Sequence, residues 1–225
     1  MAKKKESTLI NMLVALLVIA AVSGGVLGLV YGVTKDAIAE VDQKKNEAAI
    51  KAVLPLDNVT YKADTLKYNY EGVDLTFPCN LAYDANGNFQ GAAVKTSESG
   101  FGGKIDMMVG FLADGTIKGT SVLSHAETPG LGANMTGKFK DQFVDKNPAD
   151  FKLIVKKDGG DVDAITAATI TSRAFSKAVD KAYKAFMANK AQFTNNAPAA
   201  EEAPAMVEAP AEEGSENMEG GQDNE

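Results

Sequence analysis

Residues 105–123 read IDMMVGFLADGTIKGTSVL, two apolar runs on either side of Ala113-Asp114-Gly115. An Asp-Gly pair between apolar runs is a strong hairpin signal, because glycine readily adopts the positive φ that a tight turn needs. The same pattern occurs upstream, where Asn86-Gly87 divides residues 81–94. Two successive hairpins predict an antiparallel meander, and loose alternation between 61 and 77 predicts further short strands at its edge.

Helical periodicity is clearest after the meander. Apolar residues recur there at three- and four-residue spacing, at Phe175, Val179, Ala182 and Phe186. They predict a long amphipathic helix that follows Thr169. We also expect a helix around residues 135–144 and a strand at 151–156. Several adjacent strands and few helices indicate an α+β domain, an antiparallel sheet with flanking helices.

The amino-terminal part predicts a membrane anchor. Residues 9–33 are apolar and uncharged, and as a helix they are long enough to cross a bilayer. Lys3, Lys4 and Lys5 precede this span, so residues 1–8 are expected in the cytoplasm and the rest of the chain on the outer face. A stalk helix over 34–55 should follow. A cleaved signal peptide, cut near Ala37-Ile38-Ala39, is the rival interpretation.

Composition bounds the remaining possibilities. The segment 196–225 is rich in Ala, Pro and Glu and contains nine acidic residues and no Lys or Arg, so we predict a disordered acidic tail after a domain at 56–195. Without this tail the chain is nearly neutral, which argues against a nucleic-acid partner. Cys79 and His125 are the only cysteine and histidine. They exclude an all-cysteine cluster or a multi-histidine metal site within one chain, and Cys79 is expected to be a half-buried packing residue.

Candidate functional residues lie where small residues run into the long helix. The stretch from Asp163 to Ser172 reads DAITAATITS. A helix start presents unpaired N–H groups and the positive end of the helix dipole, which suit an anion such as phosphate. Thr169, Thr171 or Ser172 should cap the first turn, and capping alone is a sufficient reason for hydroxyl residues at this place.

Two glycine-containing turns add to this. Residues 99–104 form a glycine-rich loop with Gly102 and Gly103, which alone could be a flexible turn. Residues 125–132 follow a predicted strand, and their proline and glycines would bring backbone close to a flat ligand or simply connect two elements. Neither a Ser-His-Asp set nor a paired-carboxylate site is evident, so we assign no catalytic residue and no metal.

The stretch 163–169 resembles the flavinylation signature Asp-x-x-Ser/Thr-Gly-Ala-Thr of membrane flavoprotein subunits in the Rnf and Na+-pumping NADH:quinone oxidoreductase complexes. The resemblance implies that a flavin transferase joins FMN, through its phosphate, to Thr169, with Thr171 nearby. Asp163, Thr166 and Ala168 match the signature, whereas Ala167 stands where the family usually has glycine. If that position requires a positive φ, alanine is strained there.

The sequence Glu127-Thr-Pro-Gly-Leu-Gly132 resembles the segment that lines the flavin in the same family. It implies that Glu127, Thr128 and Leu131 border the flavin, together with Gly102 and Gly103. The architecture over residues 8–190 is most similar to the G subunit of Rnf, and the C subunit of the quinone reductase is the alternative.

What the resemblance implies is an electron-carrying subunit of a bacterial cytoplasmic-membrane complex of the ferredoxin/NAD type, which couples electron transfer to ion translocation. Its FMN domain would lie on the extracytoplasmic side, and its partners would be the other membrane subunits and the transferase. A membrane-anchored extracytoplasmic FMN reductase and a flavin-free interaction module stay open as further alternatives.

Overall fold

The computed structural model describes residues 9–193. Residues 1–8 and 194–225, with all of the predicted acidic tail, lie outside the described part. The helices are α1 (Leu9–Val53), α2 (Lys138–Asp141) and α3 (Thr169–Phe193), and the strands are β1 (Thr60–Tyr70), β2 (Val73–Tyr83), β3 (Phe89–Ser99), β4 (Lys104–Leu112) and β5 (Ile117–Ser124). Two 3-10 turns, Gly132–Thr136 and Lys156–Asp158, complete the order.

The sheet is an antiparallel meander in the order β1-β2-β3-β4-β5. Both predicted hairpins are confirmed, because Asn86-Gly87 joins β2 to β3 and Asp114-Gly115 joins β4 to β5. Gly87 and Gly115 have φ values of 79° and 98°, which glycine adopts without steric cost. The sequence predicted this part of the fold from its turn chemistry.

A helix packs against each face of the sheet. The residues predicted to form the apolar face of α3, Phe175, Val179, Ala182 and Phe186, are all fully buried. They pack with alternate residues of β4, such as Met107 and Val109, in the larger core cluster. Met108 points the other way and belongs to a second cluster with the end of α1. The two-residue alternation of a strand therefore places the sheet between α3 and the end of α1.

The predicted span and stalk form one continuous helix. In its apolar part α1 is long and hydrophobic enough to cross a membrane. It ends at Val53, which lies directly on the sheet at Gly110 and Gly119, neighbours across β4 and β5. A β-carbon at either glycine would press against the Val53 backbone. Glycine at both positions thus lets the helix end sit on the strands.

Two local predictions are wrong or incomplete. Residues 151–156 do not form a strand of the sheet. Val155 instead makes an isolated bridge to Val162, because this segment pairs with the loop that follows it and not with the edge of β5. The helix expected at 135–144 is reduced to a 3-10 turn and the four-residue α2.

Cys79 is fully buried, not half-buried as predicted. Burial raises the pKa of its thiol to about 12.

Candidate functional site

A cavity of about 420 Å³ lies beside the amino-terminal end of α3. Three segments that are distant in sequence line it: the glycine-rich loop after β3, the turn after β5, and the end of the signature motif. The lining residues are Phe101, Glu127, Thr128, Leu131, Gly132, Ala167, Ala168, Thr169, Ile170 and Thr171. The volume is within the usual range for small-molecule and cofactor sites.

Glu127 ties the three segments together. Its Oε1 accepts a hydrogen bond of 3.0 Å from the Gly102 N–H, and its Oε2 accepts one of 2.8 Å from the Thr171 hydroxyl. The side chain is buried, with 5% of the residue exposed. Because each carboxylate oxygen bonds a different segment, loss of this side chain would leave the buried Thr171 hydroxyl and the Gly102 N–H without this acceptor.

Glycines allow the close approach around this carboxylate. A β-carbon at Gly102 would lie against the Ala126 carbonyl, and one at Gly132 would lie against the Glu127 carboxylate and the Thr171 hydroxyl. The Gly103 carbonyl accepts a 2.8 Å hydrogen bond from the Gly100 N–H and so closes the loop on itself. These turns are therefore packed parts of the cavity wall.

The turn after Glu127 is also closed by its backbone. The Thr128 carbonyl accepts hydrogen bonds of 3.2 Å from the N–H groups of Leu131 and Ala133, and Gly130 has a φ of 75°. The turn holds the Leu131 side chain at the rim, where 43% of the residue is exposed.

The signature loop is anchored at both ends. The Gln142 side-chain amide makes two hydrogen bonds with the backbone of Asp163. Its oxygen accepts from the Asp163 N–H at 2.8 Å, and its NH2 group donates to the Asp163 carbonyl at 3.2 Å. The Ser172 hydroxyl accepts a 2.9 Å bond from the Ile165 N–H and donates a 3.0 Å bond to the Ala168 carbonyl.

The hydroxyls of this region do not cap α3 in the predicted way. Ser172 ties the preceding loop, and Thr171 donates to Glu127. Among the hydrogen bonds of the described residues, none has the Thr169, Thr171 or Ser172 hydroxyl accepting an N–H from the first turn of α3.

Ala167 has a φ of 60°, in the left-handed region. Side chains with a β-carbon rarely adopt this conformation, and glycine does so readily. The backbone therefore has, at this position, the conformation that the family's usual glycine would favour. The structure answers the question that the sequence left open, because the alanine here is strained.

Thr169 is the first residue of α3, half-buried at the cavity wall. The Lys157 ammonium donates to its Oγ1 at 3.5 Å. The neighbouring cations are engaged elsewhere, since Lys156 pairs with Asp163 at 2.8 Å and Arg173 pairs with Asp158 at 2.7 Å. The Thr169 hydroxyl thus lies beside both a positive side chain and the positive end of a helix dipole.

Not every predicted site residue reaches this cavity. Asp163 and Thr166 are exposed and line a different depression, next to Gln142 and Phe139. Gly102 and Gly103 support the wall without lining it. The other predicted residues, Glu127, Thr128, Leu131, Ala167, Ala168, Thr169 and Thr171, all border the cavity.

Sequence reasoning missed three residues here. Phe101 and Ile170 stand at the rim with 72% and 51% of their surface exposed, and Lys157 reaches Thr169. An aromatic residue between glycines and an isoleucine inside a stretch of small polar residues were the available signals. Nothing in the sequence pointed to Lys157, which is twelve positions away from its partner.

The residues present suit a flat aromatic group with an anionic end. Apolar side chains stand at the rim, and the Thr169 hydroxyl lies beside the Lys157 ammonium. Within residues 9–193 no cluster of three or more His, Cys, Asp or Glu side chains could hold a metal ion.

Comparison with known proteins agrees with this geometry. The FMN-binding domain family matches residues 100–184. The G subunit of the ion-translocating oxidoreductase complex of Aliivibrio fischeri is 37% identical over 190 residues, covering 79% of this chain and 88% of the relative. The G subunit of the Na(+)-translocating ferredoxin:NAD(+) oxidoreductase complex of Acetobacterium woodii is 33% identical, covering 76% and 88%.

A solved structure, the C subunit of the Na(+)-translocating NADH-quinone reductase of Parabacteroides distasonis, is 19% identical. The structural alignment covers 70% of this chain and 96% of the solved chain, with a TM-score of 0.47. The curated relatives match most of this chain and of their own length. The chain belongs to the family of G subunits of ion-translocating oxidoreductase complexes.

Proposed function

We propose that this chain is an electron-carrying subunit of a membrane complex that couples electron transfer to ion translocation. Its cofactor would be FMN, held in the 420 Å³ cavity and attached covalently through its phosphate to Thr169 Oγ1. Membership in the family of G subunits and the match to the FMN-binding domain family support the cofactor and the class of complex. The attachment is argued from the site.

The observation that carries the attachment is the position of the Thr169 hydroxyl. Of the three cavity-lining threonines, Thr171 has its hydroxyl bonded to Glu127, and Thr128 is in the opposite turn. Thr169 has its hydroxyl at the start of α3, next to Lys157. A phosphodiester formed there would keep one negative charge close to the lysine and the helix dipole, which favours it electrostatically.

The chain's own residues would hold the ring and leave part of it accessible. FMN supplies reversible uptake of electrons when bound. Phe101, Leu131 and Ile170 give apolar contact at the rim, and all three are substantially exposed. A tether removes the need to enclose the ring for retention, so one edge can face partner subunits. This arrangement suits a carrier better than an enzyme that must exclude water from a substrate.

The setting of the proposed carrier follows from α1. The helix can cross a membrane, and the lysines at positions 3–5 favour a cytoplasmic amino terminus. We therefore propose that the domain lies on the extracytoplasmic side of a bacterial cytoplasmic membrane, as a single-pass subunit beside other membrane subunits. A complex of the ferredoxin/NAD type is favoured, because the Acetobacterium woodii relative is named for that reaction.

The attachment is tested by producing the full chain with an active flavin transferase. Intact mass should increase by one FMN less one water, and fluorescence should survive denaturing electrophoresis. Thr169→Ala should lose both signals, whereas Thr169→Ser, which keeps a hydroxyl at the same place, should retain them. If the unsubstituted chain stays unmodified while the transferase modifies another substrate, the proposed attachment is wrong.

The orientation is tested separately with Ala85→Cys, at an exposed hairpin tip. A membrane-impermeant maleimide should label this cysteine in intact spheroplasts. The native Cys79 gives little background because it is buried. Labelling only after lysis would place the domain in the cytoplasm.

A further inference from the structure

The Glu127 carboxylate is a buried charge without a cationic partner. Its two hydrogen-bond donors, the Gly102 N–H and the Thr171 hydroxyl, are both neutral. None of the ion pairs in the described part of the chain involves Glu127. A carboxylate can accept on both oxygens, and here each oxygen has a donor of its own.

Solvent screens this charge poorly. The backbone packs directly on the carboxylate, because a β-carbon at Gly100 or Gly132 would collide with its oxygens. A charge held in such a place acts more strongly on its surroundings than one in water, since the effective dielectric constant is lower. Glu127 lines the cavity.

We propose that Glu127 acts on the bound flavin as a fixed negative charge that makes the flavin harder to reduce. This inference rests on the proposed function. A flavin that takes up more electrons than protons becomes negatively charged, and a neighbouring carboxylate opposes that change. Glu127 does so by its charge and not as a direct hydrogen-bond ligand, because Gly102 and Thr171 already occupy its oxygens.

The variant Glu127→Gln separates charge from geometry. Its amide oxygen can accept from the Gly102 N–H, and its NH2 group can donate to the Thr171 oxygen, whose hydroxyl then turns away. The network is kept while the charge is removed. We expect the midpoint potential of the tethered flavin to shift to a more positive value. Glu71→Gln is the matched control, because it removes an exposed glutamate that does not line the cavity.

The measurement is a potentiometric titration of the full-length flavinylated chain. Dithionite supplies the electrons, water supplies the protons, and intact mass reports the flavin content of each sample. A positive shift in Glu127→Gln and no shift in Glu71→Gln is the expected result. An unchanged or more negative potential in Glu127→Gln overturns the inference and leaves the attachment at Thr169 standing.

Other outcomes are decisive as well. Absence of flavin from the unsubstituted chain refutes the proposed function itself, and this inference with it. If Glu127→Gln is the only variant that fails to take up flavin, the midpoint potential of Thr128→Lys is measured in its place. This variant adds a cation to the same wall of the cavity while Glu127 stays in place. Its potential should be more positive than that of the neutral Thr128→Gln, and equal potentials refute the inference.

Discussion

Ala167→Gly should make the protein more stable, although glycine usually destabilises. Ala167 has a φ of 60° and is exposed, so the substitution removes left-handed strain and little buried surface. A non-glycine residue in this conformation costs about 1–2 kcal/mol. Glycine also has greater conformational freedom in the unfolded chain, and this offsets about 0.4–1 kcal/mol of the stabilisation. The middle values of these two ranges differ by about 0.8 kcal/mol, which corresponds to a rise in melting temperature of about 2–3 °C.

The assay is thermal unfolding of the full chain in detergent, followed by near-ultraviolet circular dichroism of the buried aromatic residues, since the chain has no tryptophan. The matched control is Ala149→Gly, an exposed loop alanine that is not among the positive-φ residues. It should lose about 0.4–1 kcal/mol. The two variants should therefore change stability in opposite directions. A melting temperature of Ala167→Gly at or below that of the unsubstituted chain would refute the strain argument.

Three other predictions concern the site and the core. Gly132→Ala should destabilise the fold by about 1–3 kcal/mol, because its β-carbon meets the buried carboxylate beneath it. Gly137→Ala, whose β-carbon would meet its nearest neighbour at an ordinary 3.5 Å, should not, and equal melting temperatures would contradict this. Cys79, whose pKa burial raises to about 12, should stay protonated and react with a disulfide reagent at pH 8 only after unfolding. Fast native labelling would count against its burial. Lys157→Gln should slow flavin attachment about 2- to 5-fold, the size of an exposed charge interaction, in a time course of intact mass. Lys190→Gln, in the last turn of α3 at the opposite end of the helix from Thr169, should not slow it.

The sequence predicted the meander and the long helix because both rest on local rules. A hairpin needs a turn residue that tolerates positive φ between apolar runs, and Asn86-Gly87 and Asp114-Gly115 supply it. The apolar face of α3 follows from the 3.6-residue period, which Phe175 and Phe186 obey. Residues 151–156 misled the same reasoning. Leu153 and Val155 are buried in the main core although the segment is not a strand of the sheet, and burial without sheet pairing gives the same apolar pattern in the sequence.

The candidate site was predicted in part. The glycine turns and the signature residues were identified as separate segments, and resemblance to a family suggested that they meet. The bond from Glu127 to Thr171, 44 positions away, could not be read from spacing, because it depends on how the end of β5 is placed against α3. Lys157 was missed for the same reason. A lysine in a polar loop has no distinguishing neighbours until the chain folds.

What the sequence alone determined about this protein is therefore periodic and local: an apolar span, two hairpins, an amphipathic helix and turns that need glycine. The tertiary structure decided the environment of each polar group. It gave Ala167 a left-handed backbone, buried Glu127 between neutral donors and placed Lys157 at the Thr169 hydroxyl. The reason is physical. Backbone preference depends on a few neighbouring residues, whereas burial and electrostatic interaction depend on distances between atoms that only the folded chain brings together.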